Sequence, residues 1–148
     1  MITIIGASGF LGSHLMCHLL QEGQQIKAIV RNDTSIEKAK NTLRYYSLPD
    51  ELLDSQVEWI FADITDIHSI NEALRFSEIV VNCSGFVSFN NKEKKTLFDV
   101  NIYGVGNIVN SCLANSCKKL IHISSIAALG ETFSEELITE ETTYTNNG

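Results

Sequence analysis

Met1-Ile-Thr-Ile-Ile5-Gly6-Ala-Ser-Gly9-Phe-Leu-Gly12-Ser-His-Leu15 opens the chain as a short apolar run that breaks into three glycines spaced three apart and then becomes helix-like. Each glycine answers a physical need. Gly6 allows a tight turn out of a strand, Gly9 lets backbone approach a pyrophosphate, and Gly12 permits close packing of helix on sheet. Negative charge would then sit at a helix N-terminus, where unpaired N–H groups and the macrodipole attract it. Ser8, Phe10 and Leu11, within the same turn, join the three glycines as candidate cofactor contacts. The alternative is a bare strand-turn-helix, and the order of strand first and helix second favours the phosphate cradle. No Gly-Lys-Ser/Thr follows, which disfavours a kinase-type P-loop.

With 148 residues and 44% hydrophobic content, the chain can bury one core and has no obvious room for a second domain. A net charge of -7 without a Lys/Arg-rich stripe argues against nucleic acid or an anionic membrane as partner. No apolar stretch approaches a membrane span and no charged n-region precedes the first strand, so the chain reads as cytoplasmic. Cys17, Cys83, Cys112 and Cys117 are scattered over different elements, which points to free thiols rather than a disulfide framework. His14, Cys17 and His18 share one side of the first helix, but no further ligand cluster accompanies them, so no metal site is expected. The two histidines are expected on the polar side, opposite an apolar arc of Leu11, Leu15, Met16, Leu19 and Leu20.

Beyond the first helix, Glu22-Gly23 supplies a stop and residues 26–30 read as a second strand. A helix is expected over about 35–47, ending before Pro49. Residues 57–61 form a third strand, 66–76 suit a short helix, and 78–83 form a buried fourth strand. The charged stretch 90–95 is expected in solvent and leads into a long helix with Val105, Ile108, Val109, Cys112 and Leu113 on one face. Residues 120–123 make a fifth strand, and 132–148 read as loop. Apolar strands alternating with helices imply a doubly wound α/β fold, a parallel sheet covered on both faces. Right-handed crossovers then bring Gly6 to Gly12, Arg31, Asp63, Cys83 to Gly85 and the Ser124-Ser125 pair to one edge of the sheet.

At the end of the second strand, a fold of this kind that uses NAD carries Asp or Glu for the adenosine ribose. Here Val30 is followed by Arg31, whose planar guanidinium suits a bidentate clamp on a 2'-phosphate. That favours NADP(H) over NAD(H), with a solvated strand-end arginine as the alternative; Asn32 is a candidate beside it. Asp63, just after the third strand, could accept a hydrogen bond from the adenine amino group, and Ile64 accompanies it. Asp66 suits the cap of the following helix.

Four matches, the last of them made of two stretches, together resemble the extended short-chain dehydrogenase/reductase proteins of the NAD-dependent epimerase/dehydratase type. They are Gly6-x-x-Gly9-x-x-Gly12, Ala62-Asp63-Ile64-x-Asp66, Asn82-Cys-Ser-Gly85, and Asp99-Val-Asn101-Ile-Tyr-Gly104 with Ile123-Ser-Ser125-Ile-Ala-Ala-Leu-Gly130. The resemblance implies a Rossmann fold, a dinucleotide cofactor and hydride transfer to or from a hydroxyl or carbonyl substrate. It also implies that Asp63 touches adenine, that Cys83, Ser84 and Gly85 line the ribose and pyrophosphate side, that Asn101 supports the active site and that Ser125 is the catalytic serine. Leu129-Gly130 and Phe86-Val-Ser-Phe89 tilt the likeness towards dihydroflavonol reductases.

The family's Tyr-x-x-x-Lys is absent, for Tyr144 has Gly148, not lysine, at the fourth following position. Tyrosine in that motif is the general acid/base. The chain is therefore expected to hold a cofactor-binding half, truncated after about five strands and without its C-terminal substrate-binding part. Such a half would bind cofactor and be inactive alone, with possible self-association through its last strand. A non-catalytic NADP-binding regulatory or scaffold module is the other reading.

Overall fold

Strand β1 (Ile2–Ile5) sends successive side chains into two different cores, Ile4 to one face of the sheet and Ile5 to the other. That is the mark of a central parallel strand. The structure is a computed structural model and describes residues 1–129 and 139–141. After β1 come helix α1 (Phe10–Gln21), strand β2 (Ile26–Val30), helices α2 (Asp33–Tyr45) and α3 (Asp50–Gln56), strand β3 (Val57–Phe61), helix α4 (Ile67–Ala73) and strand β4 (Ile79–Asn82). A 3-10 turn (Asn91–Glu93), helix α5 (Lys94–Phe98), a π turn (Asp99–Gly104), helix α6 (Val105–Ala114) and strand β5 (Lys119–His122) follow. The described order is β3-β2-β1-β4-β5, all parallel.

Ile5 is flanked in register by Ile29 of β2 and Asn82 of β4, so the chain's direction of travel across the sheet reverses at β1. In open α/β sheets the crevice beyond that switch point is where ligands bind. One face packs Met16, Cys17 and Leu20 of α1 and Ala39 and Leu43 of α2 against Ile4, Ala28 and Val30. The other packs Ile70 and Ala73 of α4 and Ile108 and Cys112 of α6 against Ile5, Ile29 and Val80. Lys27, in the middle of β2, is buried, and its Nζ donates to the carbonyl oxygens of Arg75 (2.7 Å) and Ala73 (3.4 Å) at the C-terminal end of α4. The negative end of that helix offsets the cost of burying the amine.

Several expectations are corrected by packing. Leu11, expected in the apolar arc, is exposed, while Cys17 is buried although its spacing puts it on the side of the helix that carries His14 and His18. Gly12 seats α1 so close to the sheet that its buried stripe becomes Gly12, Ser13, Met16, Cys17 and Leu20. In α6 the buried stripe is Ile108, Ser111 and Cys112; Val109 and Leu113 are exposed. Helix α3 was not expected, and α2 starts at Asp33 because Asn32, through Oδ1, accepts the Ser35 N–H at 3.0 Å as its cap. No residue of β5 is buried, in keeping with its place at the edge of the described sheet. Gly130, Tyr144 and most of the stretch 132–148 expected as loop lie outside the described residues. Among those described, no helix is long and apolar enough to cross a membrane.

Candidate functional site

The turn between β1 and α1 is closed by contacts that only glycine permits. Gly6 sits at φ +76°, and a Cβ on it would meet the Ser84 nitrogen at 2.9 Å. A Cβ on Gly12 would lie 2.2 Å from the Gly6 carbonyl oxygen, which also accepts the Gly9 N–H at 3.0 Å. Gly9 caps α1 with extended backbone and no side-chain hydrogen bond, and the Ser13 N–H is the first to bond back, to the Gly9 carbonyl at 2.9 Å. The first turn of α1 is thus left with N–H groups unused by a capping side chain.

Beside this turn, at the C-terminal edge of the sheet, lies a cleft of about 260 Å³. It brings together the expected Gly6, Ser8, Gly9, Arg31, Asp63, Ile64, Cys83, Ser84 and Gly85. Arg31 is exposed and makes no ion pair among the described residues. Asp63 is held by its own loop: Oδ1 accepts the Thr65 N–H (2.9 Å) and hydroxyl (2.8 Å). Asp66 caps α4 as its position suggested, accepting the His68 N–H at 2.9 Å. Burial pushes the Cys83 thiol above its ordinary range, so the cleft wall there is a neutral thiol.

Other expected residues stand around the cleft without lining it. Gly12 lies behind the turn, and Phe10 and Leu11 are exposed at the start of α1. Asn32 spends its carbonyl oxygen on α2, taking the Thr34 and Ser35 hydroxyls as well as the Ser35 N–H. Asn101, in the π turn, clamps the backbone of Phe86: Oδ1 accepts its N–H at 2.9 Å and Nδ2 donates to its carbonyl at 2.7 Å. Ser125 follows β5 on the exposed side, its carbonyl accepting the Ala128 N–H at 2.9 Å. Phe86, Thr96 and Val100 line the cleft and were not among the expected contacts. The segments around Gly85 and Phe86 and the Asn101 motif point to their neighbourhood, but the π turn that places Val100 has no local sequence signal of its own.

The donor set fits a dinucleotide. A glycine turn that side chains would fill, a helix end without a side-chain cap, and an arginine and a carboxylate that follow the neighbouring strands β2 and β3 into the cleft match the charge pattern of a pyrophosphate flanked by an adenosine. Among the described residues no group of His, Cys, Asp and Glu could hold a metal ion.

Comparison with known proteins agrees with this geometry. The model of the 3-beta hydroxysteroid dehydrogenase/isomerase family matches residues 3–147. Sterol demethylase protein B of Methylococcus capsulatus is 28% identical over 131 residues, covering 88% of this chain and 36% of that protein. Dihydroflavonol 4-reductase of Callistephus chinensis is 31% identical over 126 residues, 84% of this chain and 33% of that one. The chain thus spans about a third of the length of these curated relatives. A short-chain dehydrogenase/reductase superfamily protein from Agrobacterium tumefaciens, solved with bound NAD, matches with a TM-score of 0.74 over 100% of this chain and 40% of its own, at 18% identity; that likeness bears on the fold. With the glycine turn, the doubly wound sheet and a family match over nearly the whole chain in agreement, this chain belongs to the 3-beta hydroxysteroid dehydrogenase/isomerase family.

Proposed function

We propose that the chain binds a nicotinamide dinucleotide across the β1 switch point, NADP(H) in preference to NAD(H), and supplies the cofactor half of an oxidoreductase acting on a hydroxyl or carbonyl substrate. The observation that carries this reading is the Gly6–Gly12 contact, which brings α1 against β1 at the mouth of a cleft walled by Arg31 and Asp63. When bound, the cofactor supplies hydride chemistry. The chain's own residues have simpler tasks. The backbone of the glycine turn receives the pyrophosphate, Arg31 the 2'-phosphate, and Asp63 the adenine edge. Asn101 fixes the Phe86 loop, and Ser125 would hydrogen-bond the substrate oxygen.

None of the four tyrosines has lysine at the fourth following position. The chain by itself is therefore expected to bind cofactor without measurable turnover. A substrate-binding part and a Tyr-x-x-x-Lys pair would have to come from residues other than these 148. The dihydroflavonol 4-reductase likeness supports a reductase in preference to an epimerase.

Titration of NADPH and NADH against the wild-type chain and Arg31→Ala tests the proposal. NADPH affinity should fall about tenfold in the variant, the scale of one charge-assisted phosphate contact, with NADH little changed. Equal losses for both nucleotides would refute the 2'-phosphate role, and no binding of either to wild type would refute the whole reading.

A further inference from the structure

Asn82, the last residue of β4, is fully buried and lies opposite His122 of β5 in register. Its side chain is used at both ends. Oδ1 accepts the Ser84 N–H at 3.0 Å and the Ser84 hydroxyl at 2.6 Å, and Nδ2 lies 3.0 Å from His122 Nδ1. A backbone N–H can only donate, so the amide oxygen must be the atom facing Ser84. The amide nitrogen, a donor only, is then the atom facing His122, and Nδ1 must accept. The tautomer of His122 that fits this contact carries its proton on Nε2. The Asn82 main-chain carbonyl also accepts the Ile123 N–H at 3.0 Å, immediately before Ser124 and Ser125.

The same logic fixes the Ser84 hydroxyl. Its proton is committed to Asn82 Oδ1, so towards the cleft that Ser84 lines it presents lone pairs only. An acceptor of this kind suits a hydroxyl group of a bound ligand and repels phosphate oxygens.

We infer that Asn82 is a positioning residue: it ties the Ser84 wall of the cleft to the end of β5 through a single histidine tautomer, and makes Ser84 a ribose-hydroxyl acceptor. The hydrogen-bond relay stands on its own; the ribose assignment rests on the dinucleotide reading above. A purely space-filling role would be served by an apolar side chain, since Ile5 and Val80 surround this face of the sheet. Burial of an amide is costly unless both of its ends are satisfied, as they are here.

The test combines nitrogen-15 NMR of the histidine ring with NADPH titration in wild type, Asn82→Asp and Asn82→Leu. In wild type, His122 should show an unprotonated Nδ1. Asn82→Asp keeps an acceptor for Ser84 but turns a second acceptor towards His122, so the ring proton should appear on Nδ1. Asn82→Leu should lose about tenfold in NADPH affinity, and Asn82→Asp should recover most of that loss. If Asn82→Leu does not fold, His122→Phe takes its place, with an expected loss of about threefold from the unpaired amide. An unchanged ring signal in Asn82→Asp overturns the relay, and full affinity in Asn82→Leu, or in His122→Phe where it stands in, overturns the positioning role. If wild type binds neither NADPH nor NADH, the cofactor reading fails, and the ring signals alone decide the relay.

Discussion

The Gly6 carbonyl oxygen would lie 2.2 Å from a Cβ placed on Gly12, so the start of α1 rests directly on the backbone of the turn that precedes it. The carbonyl is main chain and a Cβ is fixed in place by the backbone that bears it, so neither can swing aside. Gly12→Ala must push α1 off the sheet. A destabilisation of about 1–3 kcal/mol or more is expected from overpacking, measured by urea denaturation, together with lost nucleotide binding. At Gly9 the nearest atom to an added Cβ is 3.3 Å away, so Gly9→Ala should retain most of the stability. A Gly12→Ala variant as stable as wild type would show that the contact is not rigid.

Asn101 supplies two hydrogen bonds to one residue, Phe86, fifteen positions earlier in the chain. It acts as a clip on the loop after β4, which has no strand or helix of its own before the 3-10 turn at Asn91. Asn101→Ala should free the loop at a cost of about 1–3 kcal/mol, since the Phe86 groups lose their partners. Amide hydrogen exchange at Phe86 reads this directly. Protection there that survives the substitution would mean that the loop is held by something else.

How far the molecule is legible in its sequence follows from the range over which each feature is determined. The glycine turn, the strands and the Asp66 cap depend on near neighbours, and the residues that form them also announce them. Helix α3 is only Asp50–Gln56, with one buried residue, Leu53, too short for a periodic pattern. The stripe of α1 shifted onto Cys17 because helix seating is set by Gly12 against Gly6, a contact invisible in the helix's own hydrophobic period. Thr96 and Val100 reach the cleft from α5 and the π turn, so only the folded chain brings them beside Gly85 and Phe86. Asn82 stood in a recognised motif, yet its partner His122 is forty residues away.

Phe76 follows α4 with φ at +62° and is 89% exposed. A bulky side chain in the left-handed region costs about 1–2 kcal/mol, and this one regains little through burial. Phe76→Gly should therefore raise stability, by less than about 1 kcal/mol once the added freedom of the unfolded chain is counted. Urea denaturation of the two proteins measures the difference. A loss of stability would show that the aromatic ring packs more productively than its exposure indicates.

Cys112 and Cys117 meet where α6 ends. The Ser116 backbone turns left-handed (φ 55°) and the Cys117 N–H bonds back to the Cys112 carbonyl at 2.9 Å, the arrangement that brings the third residue from a helix end against the second residue beyond it. Burial first, and then the neighbouring Cys117 thiol, push the Cys112 thiol up from its ordinary value near 9.0 to about 12. A thiol whose value is raised in the folded state stabilises the fold fully below the unfolded value, and that contribution disappears as pH rises through the folded one. Wild type should accordingly lose stability between about pH 9 and pH 12, and Cys112→Ala should lose less over the same interval. Below that interval Cys112 stays a buried thiol, so iodoacetamide should leave it unmodified in the native protein and alkylate it only after denaturation. Peptide mass spectrometry separates the two cysteines; rapid native alkylation of Cys112 would contradict both its burial and its raised value.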